Sequence, residues 1–108
     1  MLTPLALHTL LALAERENYG YAIMQAIRED SAGHVPVQTA SFYRHLARLI
    51  DEGFVAEASA RRDDEDRRRG SYYRITPRGR QVLAAEQQRL RALVSQMSKR
   101  LSPRKADA

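Results

Sequence analysis

The last third of the chain sets the tightest constraint on what it can fold into. Thr76-Pro77 reads as a helix start, because a threonine can cap the first turn and proline's fixed φ suits the first helical position. A helix is predicted from there to about Leu101, where Ser102-Pro103 ends it. Within it Leu83, Leu90 and Met97 recur every seven residues, and Val94 and Leu101 repeat at the same interval, offset by four. This is a coiled-coil-like seam, interrupted at Gln87, which would set register. At 1.5 Å per residue a helix of about 25 residues reaches nearly 40 Å, longer than a body of the remaining 75 or so residues is wide. The outer half therefore needs cover from another molecule.

The opposite end of the chain makes the same demand. Thr3-Pro4 repeats the cap-then-proline start, and a helix over about 4–16 carries leucines at 5, 7, 10, 11 and 13, nearly all the way round. One small domain covers half of such a helix. Leu5, His8 and Leu11 of this helix, with Leu83, Leu90, Val94, Met97 and Leu101 of the last, are the expected dimer interface. His8 is expected to be packed and hydrogen-bonded, with no second ligand at metal spacing on its helix.

Between these ends the pattern is helix, turn, helix. Glu17 to Gly20 breaks the first helix, and a second over about 21–31 places Ala22, Ile23, Ala26 and Ile27 on one side. Gly33 and Pro36 bracket the following turn, with Pro36 biasing Val35 toward extended geometry. The third helix, about 39–52, has Thr39 as its expected cap and Phe42, Leu46, Leu49 and Ile50 as an apolar stripe. Ala40, Ser41, Arg44, Ala47 and Arg48 fall opposite: two cations among residues short enough to allow close approach to a groove. An ordinary solvated amphipathic face is the competing account of that surface. Gly53-Phe54 reads as a left-handed stop with an apolar residue folding back.

After Gly53 the period changes. Phe54 to Ser59 and Ser71 to Thr76 read as strands of a hairpin spanning 54–76, with Tyr72 and Arg74 on one face and Tyr73 and Ile75 on the other. The connection carries five arginines and four acids and nothing apolar larger than alanine, so it projects into solvent. Asp63 to Asp66 lacks the alternating ligands and central glycine of a calcium loop, whereas Arg67, Arg68, Arg69 and Arg74 are placed to meet phosphate beside the third helix.

Charge points the same way. The chain has 108 residues and net charge +5; residues 1–58 hold four Lys/Arg against seven Asp/Glu, and residues 59–108 hold fourteen against six, so the halves carry −3 and +8. A basic half of this kind rewards an anionic partner, and nucleic acid fits best. With no cysteine there is no disulfide, thiolate metal site or cysteine nucleophile, and the three histidines stand at no ligand spacing, so no metal or cofactor is expected. Ser41 and His45 form an i, i+4 pair that could hydrogen-bond, but nothing orients the imidazole and no oxyanion loop occurs, so an enzyme is not expected. No stretch reaches a membrane span and the start lacks signal-peptide features, so a soluble, cytoplasmic protein is expected.

This order of elements is that of a mainly α (α+β) winged helix-turn-helix over 1–76, a C-terminal dimerisation helix over 77–101 and a frayed basic tail over 102–108. The chain resembles the PadR family of bacterial transcriptional regulators in its short form, with a single C-terminal helix. The resemblance is carried by Tyr19-Gly20-Tyr21, by Ala40-Ser41-Phe42-Tyr43 with Leu46, Leu49 and Glu52-Gly53-Phe54-Val55, and by Ser71-Tyr72-Tyr73-Arg74-Ile75-Thr76 with Gly79. Ala40 stands where the family usually has glycine and Arg44 where it usually has proline, which adds a cation. The resemblance implies a dimeric DNA-binding repressor, in some members released by a phenolic acid or drug at the dimer interface; with no tryptophan here, support for a small aromatic effector comes from the resemblance alone. On that footing Ser41, Arg44 and Arg48 would reach base edges or nearby phosphates, Gln38, Thr39 and Tyr43 would fix the approach, and the wing arginines would neutralise phosphate along a palindromic operator. The alternative is a winged-helix module that docks on protein and shows little salt-dependent affinity for duplex.

Overall fold

In the computed structural model, which describes residues 1–58 and 71–103, four helices and three short strands follow the order α1 (Pro4–Glu15), β1 (Asn18–Tyr19), α2 (Gly20–Asp30), α3 (Thr39–Asp51), β2 (Val55–Ala58), β3 (Tyr72–Ile75) and α4 (Pro77–Leu101). Two starts obey simple capping chemistry. The hydroxyl of Thr3 accepts the Ala6 amide, that of Thr76 accepts the Gly79 amide, and a proline occupies the first turn in each case. Helix α3 departs from expectation, because its N-cap is Gln38 with no side-chain cap bond and Thr39 already lies inside the helix. Ser41 Oγ instead donates to the Gln38 carbonyl at 3.2 Å.

The exit of α3 is tightly specified. Gly53 has φ +82, its amide donates to Ile50 O at 2.9 Å, and the Phe54 amide donates to Leu49 O at 3.0 Å. These two bonds make a Schellman closure, whose left-handed residue glycine adopts without steric cost. Phe54 is thereby turned back, half-buried against the core, with the Arg78 guanidinium 5.6 Å from its ring centroid.

The strands form one antiparallel sheet of order β1-β3-β2, with Val55 opposite Ile75 and Tyr19 opposite Tyr72. The hairpin of β2 and β3 was expected; β1 was not. Its presence changes the fate of Tyr72, which shares a face with exposed Arg74 but is itself buried, its ring 5.8 Å from that of Tyr19. The wing connection, including Arg67, Arg68 and Arg69, lies outside the described residues, as does the tail from 104 onward.

One core joins the four helices with β2 and β3. Leu10 and Leu13 of α1, Ile23, Met24 and Ile27 of α2, Phe42, Leu46 and Leu49 of α3, and Val55, Tyr73 and Ile75 of the sheet are all buried. Helix α4 docks through its first half, where Gly79 and Glu86 are buried and Leu83 packs at the edge of the core. Residues 91–101 are exposed throughout. The molecule accordingly measures 67 × 27 × 22 Å with a radius of gyration of 17.4 Å, against about 13 Å for a compact chain of this length. No helix among the described residues is long and apolar enough to cross a membrane.

Candidate nucleic-acid interface

The outward side of α3 is built by the burial of its other side. With Phe42, Leu46 and Leu49 sunk in the core, the 3.6-residue repeat leaves Thr39, Ala40, Ser41, Tyr43, Arg44, Ala47 and Arg48 exposed, with Gln38 exposed at the helix entrance. Arg44 forms no hydrogen bond or ion pair with any described residue, so its guanidinium keeps all five donors for an external acceptor. On the neighbouring sheet Arg74 is exposed on β3, opposite Ala56 of β2.

The approach to α3 is held by a chain of side chains that the sequence reading did not single out. Arg28 donates to the Val37 carbonyl at 3.1 Å and to Gln25 Oε1 at 3.0 Å, and Gln25 donates to the Tyr21 hydroxyl at 3.0 Å. Residues 21, 25 and 28 lie one turn apart on a single face of α2, so their polar spacing was the available signal. They tie the last residues before α3 to the helix in front of it. Tyr43 closes the other flank, because its ring lies over Gly20, where a Cβ would stand 2.4 Å from the tyrosine hydroxyl. The absence of a side chain at the start of α2 is what leaves room for this ring.

Behind this exposed face, His45 does not meet Ser41 as its spacing allowed. Its Nε2 lies 3.3 Å from Thr9 Oγ1 on α1 instead. Burial holds its pKa below the ordinary 6.5, with Arg48 adding to the effect and Glu52 opposing it. His34 Nδ1 lies 2.9 Å from the Ser31 carbonyl, in the turn before α3. Among the described residues no group of three or more His, Asp or Glu side chains is arranged to hold a metal.

A second feature lies between α1 and the first half of α4. There a groove of about 640 Å³ is lined chiefly by Leu7, His8, Leu11, Leu83, Leu90 and Val94, with Arg80, Gln87 and Arg91 along its margins. Of the expected interface residues, Leu11, Val94, Met97 and Leu101 are exposed, Leu83 and Leu90 are half-buried, and Leu5 packs against the core without lining the groove. His8 is not hydrogen-bonded as expected, since its Nδ1 is buried without a partner among the described residues. Outside the groove lining, Glu86 packs near the start of the chain and is nearly inaccessible at 4 % exposure; it accepts the Leu2 amide at 2.8 Å and the Arg89 Nε–H. The Arg89 bond, then the Leu2 bond, hold its carboxyl below the usual range.

The family model for transcriptional regulators of the PadR-like family matches residues 9–85, from the second turn of α1 through the sheet and into α4. The chain belongs to this family. Similar solved structures place the PadR-like chain in the same fold. A PadR family transcription regulator from hypervirulent Clostridium difficile is 21 % identical over 93 % of this chain and 100 % of its own, with a TM-score of 0.76. A transcriptional regulator from Clostridium thermocellum is 23 % identical over 91 % of this chain and 90 % of its own, at 0.70. The transcriptional regulator BldR from Sulfolobus solfataricus is 28 % identical over 91 % of this chain but 62 % of its own, at 0.65. No curated protein matches in sequence.

Proposed function

We propose that this PadR-like regulator is a homodimeric, sequence-specific DNA-binding repressor that a small aromatic effector releases. The observation that carries the reading is the face of α3, where Gln38, Thr39, Ser41, Arg44 and Arg48 stand exposed on a helix whose other side is fixed in the core. Two such helices, held about 34 Å apart by pairing through α1 and α4, would enter successive major grooves of a palindromic operator. Ser41, Arg44 and Arg48 would reach base edges or adjacent phosphates, and Thr39, Gln38 and Tyr43 would fix the approach. Arg74 would lie along the flanking backbone with the wing residues Arg67, Arg68 and Arg69. The uncovered apolar residues Leu11, Val94, Met97 and Leu101 are where a second copy would close.

An effector would lie in the α1–α4 groove. Its apolar floor suits a ring, and Arg80, Gln87 and Arg91 along its margins would supply polar groups for a carboxylate or hydroxyl. Selecting bound fragments from genomic DNA with the purified protein, at several salt concentrations and with candidate aromatic acids present or absent, tests the whole reading. Enrichment of an inverted repeat, bound less tightly as salt rises, is the expected result. Salt-insensitive binding with no enriched repeat would point to a protein-docking module instead.

A further inference from the structure

His45 sits mid-way along the reading helix, directly after Arg44 and one turn before Arg48, yet its ring turns inward to α1. Thr9, its partner there, has no exposed surface. The Thr9 hydroxyl has a single hydrogen, which is committed to the Leu5 carbonyl at 2.7 Å. Its oxygen must therefore accept, and the imidazole must carry its proton on Nε2 and donate. The ring also packs on Phe42 with centroids 6.2 Å apart. Burial lowers the basicity of this histidine and so favours the neutral ring, and Nε2 is the donor to Thr9 in either protonation state.

Among the described residues this is the side-chain hydrogen bond that joins α1 to α3. Helix α1 is two-sided at this point, because Thr9 faces α3 while its neighbour His8 lines the α1–α4 groove. We propose that His45 is a positioning residue: by donating to Thr9 it fixes the rotation of α3 on α1, so that the aim of Arg44 and Arg48 follows the seating of α1 beside the groove. The inference rests on the DNA-reading role of α3 proposed above. It adds a mechanical link between the face that would meet duplex and the surface that a second copy or an effector would occupy.

The test uses the full chain and its His45→Ala, His45→Gln and Thr9→Val variants, each checked for folding by its thermal transition. Ring-nitrogen NMR at neutral pH is expected to show His45 Nε2 protonated, with a shifted resonance in Thr9→Val. The affinity ratio between the duplex enriched in the genomic selection and a scrambled duplex is expected to fall about fivefold in His45→Ala and Thr9→Val, as loss of one buried hydrogen bond implies. It should recover in His45→Gln, whose amide nitrogen reaches the Nε2 position. An unprotonated Nε2, an unchanged ratio in a folded His45→Ala protein, or no recovery with glutamine overturns the inference. If His45→Ala does not fold, the near-isosteric Thr9→Val decides alone, and an unchanged ratio there overturns it. A wild-type protein that distinguishes no duplex overturns the reading beneath it, and this inference with it.

Discussion

Replacing Gly79 by alanine should loosen the joint on which α4 is mounted. An added Cβ would stand 2.2 Å from the Phe54 carbonyl oxygen and 2.8 Å from Ile75 Cγ1, whereas ordinary C···O contacts lie near 3.3 Å, so something must yield by about 1 Å. The obstructing atom is backbone, and it is already held, since the Phe54 carbonyl accepts the Thr76 amide at 3.0 Å while the Thr76 hydroxyl donates to Gly53 O at 2.6 Å. Overpacking of this kind costs roughly 1–3 kcal/mol, and losing the Thr76 amide bond adds about 1 kcal/mol. The better helix propensity of alanine returns somewhat under 1 kcal/mol, roughly. The net is a loss of about 1–3 kcal/mol, or a fall in Tm of about 4–12 °C for a domain of this size. Circular dichroism melts at fixed protein concentration, because dimerisation would shift Tm, measure it directly. A Tm equal to or above that of the wild type would show that the α3 exit and the α4 start are not packed as described.

The other expectations separate reading, approach and anchoring. Arg44→Ala should cost about 1–3 kcal/mol of operator affinity and relax sequence preference, while Arg74→Ala should weaken all duplexes alike and lower the salt slope by about one, both readable by fluorescence anisotropy. Gly20→Ala meets the tip of a movable side chain rather than backbone, so it should leave Tm within a few degrees yet displace the Tyr43 ring and reduce operator affinity. A matched loss of stability would mean the ring cannot give way. Glu86 has a folded-state pKa below its ordinary 4.5, so its contribution is fully present above that value and is lost as pH falls below it. Glu86→Gln should therefore flatten the acid limb of the stability–pH profile and leave its neutral limb unchanged in shape, which denaturant titrations at several pH values resolve.

Long elements with chemically marked ends were legible from the letters. Thr3-Pro4 and Thr76-Pro77 cap as read, because hydroxyl and amide lie within three residues of each other. The Gly53-Phe54 stop is equally local, being a left-handed residue with two backbone bonds to the last turn. What escaped depended on partners distant in sequence. Strand β1 has two residues, too few to show any period, and exists because β3 offers it an edge. Without β1, nothing in SYYRIT distinguishes a Tyr72 that is buried from one that shares the exposure of Arg74. The acid at position 86 is buried by a segment 84 residues away in sequence, and His45 chose a threonine 36 residues away over the serine one turn back. For α3, the apolar stripe identified which face is exposed, but not the brace of Tyr21, Gln25 and Arg28 that holds its entrance.

The central claim is that a second copy closes the apolar surfaces of α1 and α4 and so spaces two cationic α3 faces to fit one duplex. Sedimentation equilibrium of the full chain at micromolar concentration, with and without a short duplex carrying the selected repeat, tests it most directly. A free species of twice the 12.3 kDa chain mass, and two chains per duplex when DNA is present, is the predicted result. A well-folded monomer under both conditions would contradict it.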